Sequence, residues 1–231
     1  MFLVLKKKWL VVILILMFIV IPILVGFFAV RKASSPKSQF TIVIDAGHGG
    51  RDDGCSGDNG SKESVINLSI AKKLKSNLES LGINIVLTRL DGNGLYDSNA
   101  TNFKQSDMEK RIEIINKAKP QVVISIHQNS FSDKSVCGAQ AFYQEDYEMS
   151  MAFAESVQTQ LISQLPNARK NSNKGDYYLL KESNYPAIIV ECGYLTNDME
   201  EKLLQGDEYQ DRVAYAIMCG VVKYFNLCGN D

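Results

Sequence analysis

The chain has 231 residues, of which 22% are charged and 45% are hydrophobic, a composition typical of a globular protein with a sizeable core. The formal net charge is −1, but residues 1–32 contain five basic and no acidic side chains, so the remainder carries −6. Nucleic-acid-binding domains are normally basic, and this class is therefore disfavoured. Five cysteines without a CxxC pair do not indicate a disulfide framework in a domain of this size.

The first feature in chain order is a run of 22 uncharged residues at positions 9–30. A helix of that length spans about 33 Å, which matches a hydrocarbon core of about 30 Å. The alternative is a cleaved signal peptide, but signal peptides have a shorter apolar core that ends at small residues. We expect a cytoplasmic N-terminus at 1–8, an uncleaved transmembrane signal-anchor at 9–30, a linker at 31–39 and a folded domain at 40–231.

Beyond the linker, apolar runs alternate with helical patterns. Four helices are predicted, from Glu63 to a C-cap at Gly82 and over residues 108–119, 147–165 and 207–225. Short apolar or β-branched runs predict six strands, over residues 41–44, 83–88, 122–126, 139–143, 177–180 and 187–190. Strands that alternate with helices predict an α/β fold, a single domain whose sheet carries helices on both faces.

The two histidines of the chain, His48 and His127, each follow a predicted buried strand. In open α/β sheets, ligands bind at the edge where the parallel strands end. A single histidine is more often structural than functional, and spacing alone leaves both interpretations open for this pair.

Two carboxylates, Glu63 and Glu191, are candidates for metal binding or catalysis because of their positions in the predicted elements. Glu63 begins a predicted helix, where a carboxylate can also simply stabilise the helix dipole. Glu191 directly follows a buried strand, where a charged group must be paired, bind a metal or take part in catalysis. Cys192 should point to the opposite face of that strand. Two histidines and one carboxylate form a typical set of catalytic zinc ligands, and a further carboxylate can act as the general base.

Several motifs, in order, resemble a known family. The segments IDAGHGG, KESVINLSIAKKLK, VLTR, ISIHQNS and PAIIVECGYLTN are similar to those of the zinc-dependent N-acetylmuramoyl-L-alanine amidases of the Amidase_3 family, and the resemblance covers residues 40–225. It implies a largely parallel sheet of about six strands flanked by helices. The activity implied is hydrolysis of the amide bond between N-acetylmuramoyl residues and L-alanine in peptidoglycan, outside the cytoplasm.

The resemblance also implies roles for individual residues. His48, Glu63 and His127 would hold one Zn²⁺ per chain, and Glu191 would be the catalytic acid and base. Asn129 and Arg89 are candidates for contacting the substrate or supporting the metal ligands, although Arg89 fits an ordinary surface role equally well.

An anchor followed by a bare domain resembles the CwlD-type, germination-specific amidases, which act in spore cortex maturation through muramic-lactam formation. We expect a protein anchored in the cell membrane, with its catalytic domain extracytoplasmic and facing the cortex. Its expected partners are peptidoglycan, the membrane through residues 9–30 and an extracytoplasmic activating protein, with no nucleic acid. The alternatives are a cysteine-dependent wall hydrolase using Cys192 or Cys137, a non-catalytic wall-binding protein and a zinc exopeptidase on a related fold.

Overall fold

The structure, a computed structural model, describes residues 16–21 and 40–228. Residues 16–21 are helical (α1), and residues 40–228 belong to a compact unit of their own. The rest of the predicted signal-anchor, the predicted N-terminus and the whole of the predicted linker lie outside the described residues. Among the helices of the described part, none is long and apolar enough to cross a membrane.

One six-stranded sheet forms the centre of the compact unit, in the order β2-β1-β3-β6-β4-β5. All neighbouring strands are parallel except β4 and β6, which run antiparallel, so the expected largely parallel sheet is confirmed. The strands are β1 (Thr41–Ala46), β2 (Asn84–Leu87), β3 (Val122–Asn129), β4 (Gln140–Tyr143), β5 (Asn173–Lys174) and β6 (Ala187–Tyr194).

Six helices flank this sheet: α2 (Glu63–Ser80), α3 (Phe103–Ala118), α4 (Glu148–Gln164), α5 (Tyr178–Glu182), α6 (Asp198–Gln205) and α7 (Asp207–Cys228). Alternate residues of β1 serve opposite faces of the sheet, as expected for a strand buried on both sides. Ile42 and Ile44 belong to the larger core with α2, α4 and α7, whereas Val43 belongs to the smaller core with α3 and α5. Helices therefore cover both faces, as expected.

The predicted strand at residues 177–180 is wrong, because these residues contribute to the helix α5. The main-chain amides of Lys181 and Ser183 donate to the carbonyls of Tyr177 and Leu179, both at 3.1 Å. The edge of the sheet beside β4 is already taken by β5. The segment therefore packs across the sheet face beside α3, where a short helix buries Leu179 and Leu180.

Other element boundaries differ in ways that matter for the site. Helix α3 begins at Phe103, five residues before the predicted start, because Asn102 caps it with a hydrogen bond from the amide of Gln105 at 3.2 Å. Strands β3 and β6 continue beyond their predicted ends, so His127 and Glu191 lie within paired strands and not in the loops after them. The sequence did not predict α6, whose N-cap is Asn197.

Candidate metal centre and active site

The central strands bring the predicted site residues to one edge of the sheet. His48 follows the end of β1, and His127 lies in the adjacent strand β3. Glu191 in β6 is the direct partner of His127 in the ladder between those two strands. Glu63 is the first residue of α2, directly after the loop that follows β1, and its side chain reaches the same edge. The fold thus joins four residues that are far apart in sequence.

Three of these side chains form a compact donor set. Glu63 Oε1 lies 3.2 Å from His48 Nε2 and 2.9 Å from His127 Nδ1. The ligand atoms of the three residues all lie within 4.8 Å of one another. Two ligands of a tetrahedral zinc ion are expected about 3.3 Å apart, given Zn–N and Zn–O distances of about 2.0–2.2 Å. The chemistry and the spacing of these donors therefore fit zinc.

The electrostatics of the donor set favour a positive charge at its centre. Burial acts to raise the pKa of Glu63, but its bonds with His127 and His48 hold that pKa well below its usual range. Burial acts to lower the pKa of His48, whereas bonds with Glu63 and Asp52 raise it to about 9. In the metal-free protein, a proton on the His48 imidazole therefore supplies positive charge that a cation would otherwise bring.

The carboxylate of Glu63 is also fixed by neutral donors. The amides of Gln128 and Cys55 donate to its two oxygens, at 3.1 Å and 2.8 Å respectively. Asn67, one helical turn further along α2, donates its side-chain amide to Oε1 at 3.3 Å. These bonds orient a side chain that is 3% exposed and keep the Glu63 carboxylate at this edge of the sheet.

Asp52 is a site residue that the sequence analysis did not identify. Its Oδ2 lies 2.9 Å from His48 Nδ1, which leaves Nε2 of that ring directed at Glu63. Histidines that bind metals commonly donate their other ring nitrogen to a carboxylate, which fixes the tautomer and the ring orientation. Lys104 Nζ lies 3.6 Å from Asp52 Oδ1 on the outer side. The available signal was a carboxylate four residues after the histidine.

Glu191 has the properties of a general acid and base. The hydroxyl of Tyr177 donates to Oε1 at 3.4 Å, and Oε2 is buried with no hydrogen-bond partner among the described residues. Burial raises the pKa of Glu191 to about 7; the charge of His127 opposes this shift and that of Glu63 adds to it. A carboxyl group with this pKa can both accept and return a proton near neutral pH.

A cavity of about 270 Å³ opens beside the donor set, on the side of the sheet that carries α3 and α5. Two of the three zinc-ligand candidates, His48 and His127, border it. Its other walls include four aromatic rings: Tyr96, Phe103, Tyr177 and Tyr178. The cavity is large enough for part of a substrate whose reacting bond lies at the donor set.

The remaining candidate residues take different positions. Arg89 is 3% exposed, so its alternative surface role is wrong. Asn129 is half-buried at the end of β3, where its Oδ1 accepts from the amide of Ser130 at 2.8 Å. Cys192 is fully buried in the larger core and burial raises its pKa, which argues against it as a nucleophile.

Two histidines and a carboxylate, beside a second carboxylate with a raised pKa and at the strand ends of an α/β sheet, are the arrangement expected of a metal-dependent hydrolase. Residues 42–223 match the profile of the family Amidase_3, N-acetylmuramoyl-L-alanine amidase. The chain belongs to this family and is an N-acetylmuramoyl-L-alanine amidase.

Individual relatives agree with the family. The chain is 32% identical over 197 residues to the uncharacterized protein YqiI of Bacillus subtilis (strain 168), covering 84% of this chain and 89% of that one. It is 31% identical over 201 residues to the germination-specific N-acetylmuramoyl-L-alanine amidase of the same organism, covering 85% and 84%. The solved CwlD amidase from Clostridioides difficile, in complex with the GerS lipoprotein, matches with a TM-score of 0.78 and 35% identity, covering 82% and 100%.

Proposed function

We propose that this amidase uses one zinc ion per chain, held by His48, Glu63 and His127, to hydrolyse the bond between N-acetylmuramoyl residues and L-alanine in peptidoglycan. The observation that carries the proposal is the convergence of these three donors within 4.8 Å at the edge of the sheet where Glu191 also lies. Zinc supplies Lewis acidity, which lowers the pKa of a water molecule toward ~7 and polarises a carbonyl group.

The protein's own side chains carry the proton transfers. Oε2 of Glu191, which has no hydrogen-bond partner among the described residues, accepts a proton as water attacks the lactyl carbonyl. The same oxygen returns that proton to the departing nitrogen of L-alanine, so the amide bond breaks without building up a free amide anion. Tyr177 donates a hydrogen bond to Oε1, which leaves Oε2 as the oxygen available for proton transfer. Asp52 orients His48 throughout.

Digestion of peptidoglycan by the full chain with added zinc tests this function. Mass spectrometry should detect muramic acid that lacks its stem peptide, together with peptides that begin with L-alanine. The Glu191→Gln variant serves as the matched control and should leave the substrate intact. Products cleaved within the peptide or the glycan would contradict the proposed bond.

The relative in Bacillus subtilis is named a germination-specific amidase, which supports a role of this chain in spore cortex maturation through muramic-lactam formation. We expect cortex from cells that lack the protein to contain no muramic lactam. A normal muramic-lactam content in such spores, with the enzyme shown to be absent, would assign the amidase to another part of the wall.

The place of the enzyme in the cell follows from its substrate. Peptidoglycan lies outside the cytoplasm, and the uncharged run at residues 9–30 is long enough for an anchor. We therefore propose a membrane-anchored protein with an extracytoplasmic domain at residues 40–231. Membrane fractionation combined with protease accessibility tests both parts. A mature N-terminus near Ala33 would replace the anchor with a cleaved signal peptide.

The solved CwlD amidase was obtained in complex with a lipoprotein, which supports a protein partner for this chain as well. We propose that an extracytoplasmic partner activates the domain by raising its zinc affinity, because removing a conformational cost tightens binding. Purified alone, the enzyme is expected to bind zinc weakly and to turn over slowly. Full zinc loading at micromolar metal with rapid cleavage would show that no activator is required.

A further inference from the structure

We propose that Arg89 and Arg111 are positioning residues for the metal centre, and that together they hold the main chain of residues 46–48 in the conformation that presents His48. The proposal rests on the zinc-dependent function proposed above. It concerns two buried arginines whose hydrogen bonds end on the loop that carries a ligand.

The two guanidinium groups bind three successive carbonyl oxygens. Arg89 donates from Nε to the carbonyl of Ala46 at 2.8 Å and from Nη2 to that of Gly47 at 3.1 Å. Arg111 donates from Nη1 to the carbonyl of Ala46 at 2.8 Å and from Nη2 to that of His48 at 2.7 Å. Every carbonyl from the end of β1 to the ligand itself is therefore fixed by a planar cation.

The main chain needs this support at His48. Its φ angle is 62°, in the left-handed region that residues with a Cβ rarely adopt. A non-glycine residue stays in such a conformation only when its surroundings determine it strongly. The preceding residue cannot provide this by filling space, because a Cβ at Gly47 would lie 2.3 Å from the ring of His127. The hydrogen bonds from the two arginines to the carbonyls supply a constraint of this kind.

Arg89 also connects two of the ligand-bearing segments. Its Nη2 donates to the carbonyl of Ser64 at 2.6 Å, in the first turn of the helix that begins with Glu63. Its Nη1 donates to the carbonyl of Asp91 at 2.7 Å. One side chain therefore ties the His48 loop to the start of α2. A shift of either segment relative to the other would break hydrogen bonds that water cannot replace at a side chain 3% exposed.

Arg111 is held in turn by two acids. It pairs with Asp45 and Asp107, each at 2.6 Å, and it is 1% exposed. Asp45 belongs to β1 and also accepts two hydrogen bonds. One comes from Ser125 in the neighbouring strand β3 at 2.6 Å, and the other comes from Thr88, just after β2, at 2.7 Å. This arrangement fixes the Arg111 guanidinium to the sheet. Its hydrogen bond therefore holds the carbonyl of His48 in a fixed position relative to the sheet.

Lysine substitutions test the idea while they preserve the charge. One ammonium group cannot reproduce the planar fork that bridges successive carbonyls, so Arg89→Lys and Arg111→Lys should each weaken zinc binding. Loss of groups that support metal ligands typically costs about 10–100-fold in affinity, and we expect a decrease of that size. Arg212→Lys is the matched control, since this exposed arginine donates to the carbonyl of Gln164, which is not part of the metal centre.

The readout is zinc affinity of the full chain, measured by competition with a chelating dye, together with the absorption spectrum of the Co²⁺-substituted protein. Unchanged affinity and an unchanged cobalt spectrum in both lysine variants would overturn the positioning role. A parent protein that itself binds no zinc would instead overturn the proposed function, so the two failures are distinguishable.

Guanidinium rescue separates positioning from simple stabilisation. In Arg89→Ala, millimolar guanidinium should occupy the vacated position and restore part of the zinc affinity, with potassium at equal ionic strength as the control. If the lysine variants do not fold, Arg89→Ala can be refolded with guanidinium, and its zinc affinity can be compared before and after the ion is removed by dialysis. Zinc that stays bound equally well after dialysis would refute the proposal.

Discussion

Replacement of Glu191 by glutamine is expected to remove activity and, in the metal-free enzyme, to stabilise the fold at alkaline pH. Burial raises the pKa of Glu191 from 4.5 to about 7. An amide of nearly the same shape cannot exchange a proton, and loss of general acid–base catalysis typically costs about 10²–10⁴-fold in rate. The same amide carries no charge, which removes the cost of ionising a buried oxygen that has no hydrogen-bond partner in the described part of the chain.

The sign and the size of the stability effect follow from linkage. A raised carboxyl pKa means that the folded protein holds its proton more tightly than the unfolded chain does. Stability is therefore lost as the pH rises from 4.5 to 7, and the loss is complete above pH 7. A shift of this size corresponds to about 3 kcal/mol, at 1.36 kcal/mol per pKa unit. The fixed cost of burying the amide is the same at every pH and does not affect the comparison.

Urea unfolding of the chelated wild type and the Glu191→Gln variant, at about pH 4.5 and about pH 8, measures this effect. The variant should gain about 3 kcal/mol relative to the wild type between the two pH values. Zinc content after reloading should remain normal, which separates a lost base from a lost ligand. A stability difference that does not change with pH would refute the raised pKa of Glu191. Near-normal turnover with zinc bound would refute its role as the catalytic acid and base.

Three further outcomes are expected. His48→Ala and His127→Ala should each lose zinc in metal analysis, and full occupancy in either variant would contradict the ligand assignment. Because the pKa of His48 is raised to about 9 in the metal-free protein, zinc binding at about pH 8 should release a proton, measurable by calorimetry in two buffers. Asp52→Asn should lower that pKa and reduce the release. The pKa of Asp45 is lowered from 3.8 to about 2, which contributes about 2 kcal/mol to the free energy of unfolding above pH 3.8. This contribution is lost as the pH falls from 3.8 to about 2, so Asp45→Asn should make stability less dependent on pH in that range, as measured by acid unfolding.

The sequence was sufficient for much of the fold because most elements carry local signals. The helix α2 begins at Glu63 as predicted, since its buried positions recur at helical spacing and Gly82, with a φ of 80°, follows its end. The strand error at residues 177–180 shows the limit of such signals. A short apolar run fits a strand or a helix equally well, and the choice depended on whether the edge of the sheet was already occupied.

Some residues of the candidate site could be identified from the sequence and others could not. The histidines and Glu191 stand out in sequence because they follow apolar segments, and Glu63 stands out because it begins a predicted helix. Arg111 gives no such signal, because it lies in a polar helix and its partners Asp45 and His48 are more than 60 residues away. Asp52 sits in a polar loop among other acids. Supporting groups of this kind are defined by contacts between distant segments, and only the folded structure reveals them.

The pairing of His127 with Glu191 across β3 and β6 has a consequence for how this enzyme family can change. The separation between a metal ligand and the proton-transfer group is set by the hydrogen-bonded ladder, with a strand spacing of about 4.8 Å, and not by any loop. Segments between the two strands can therefore lengthen, shorten or acquire new side chains while the reacting geometry is inherited unchanged. Divergence in wall substrate should accumulate in those connections, and the chemistry should survive it.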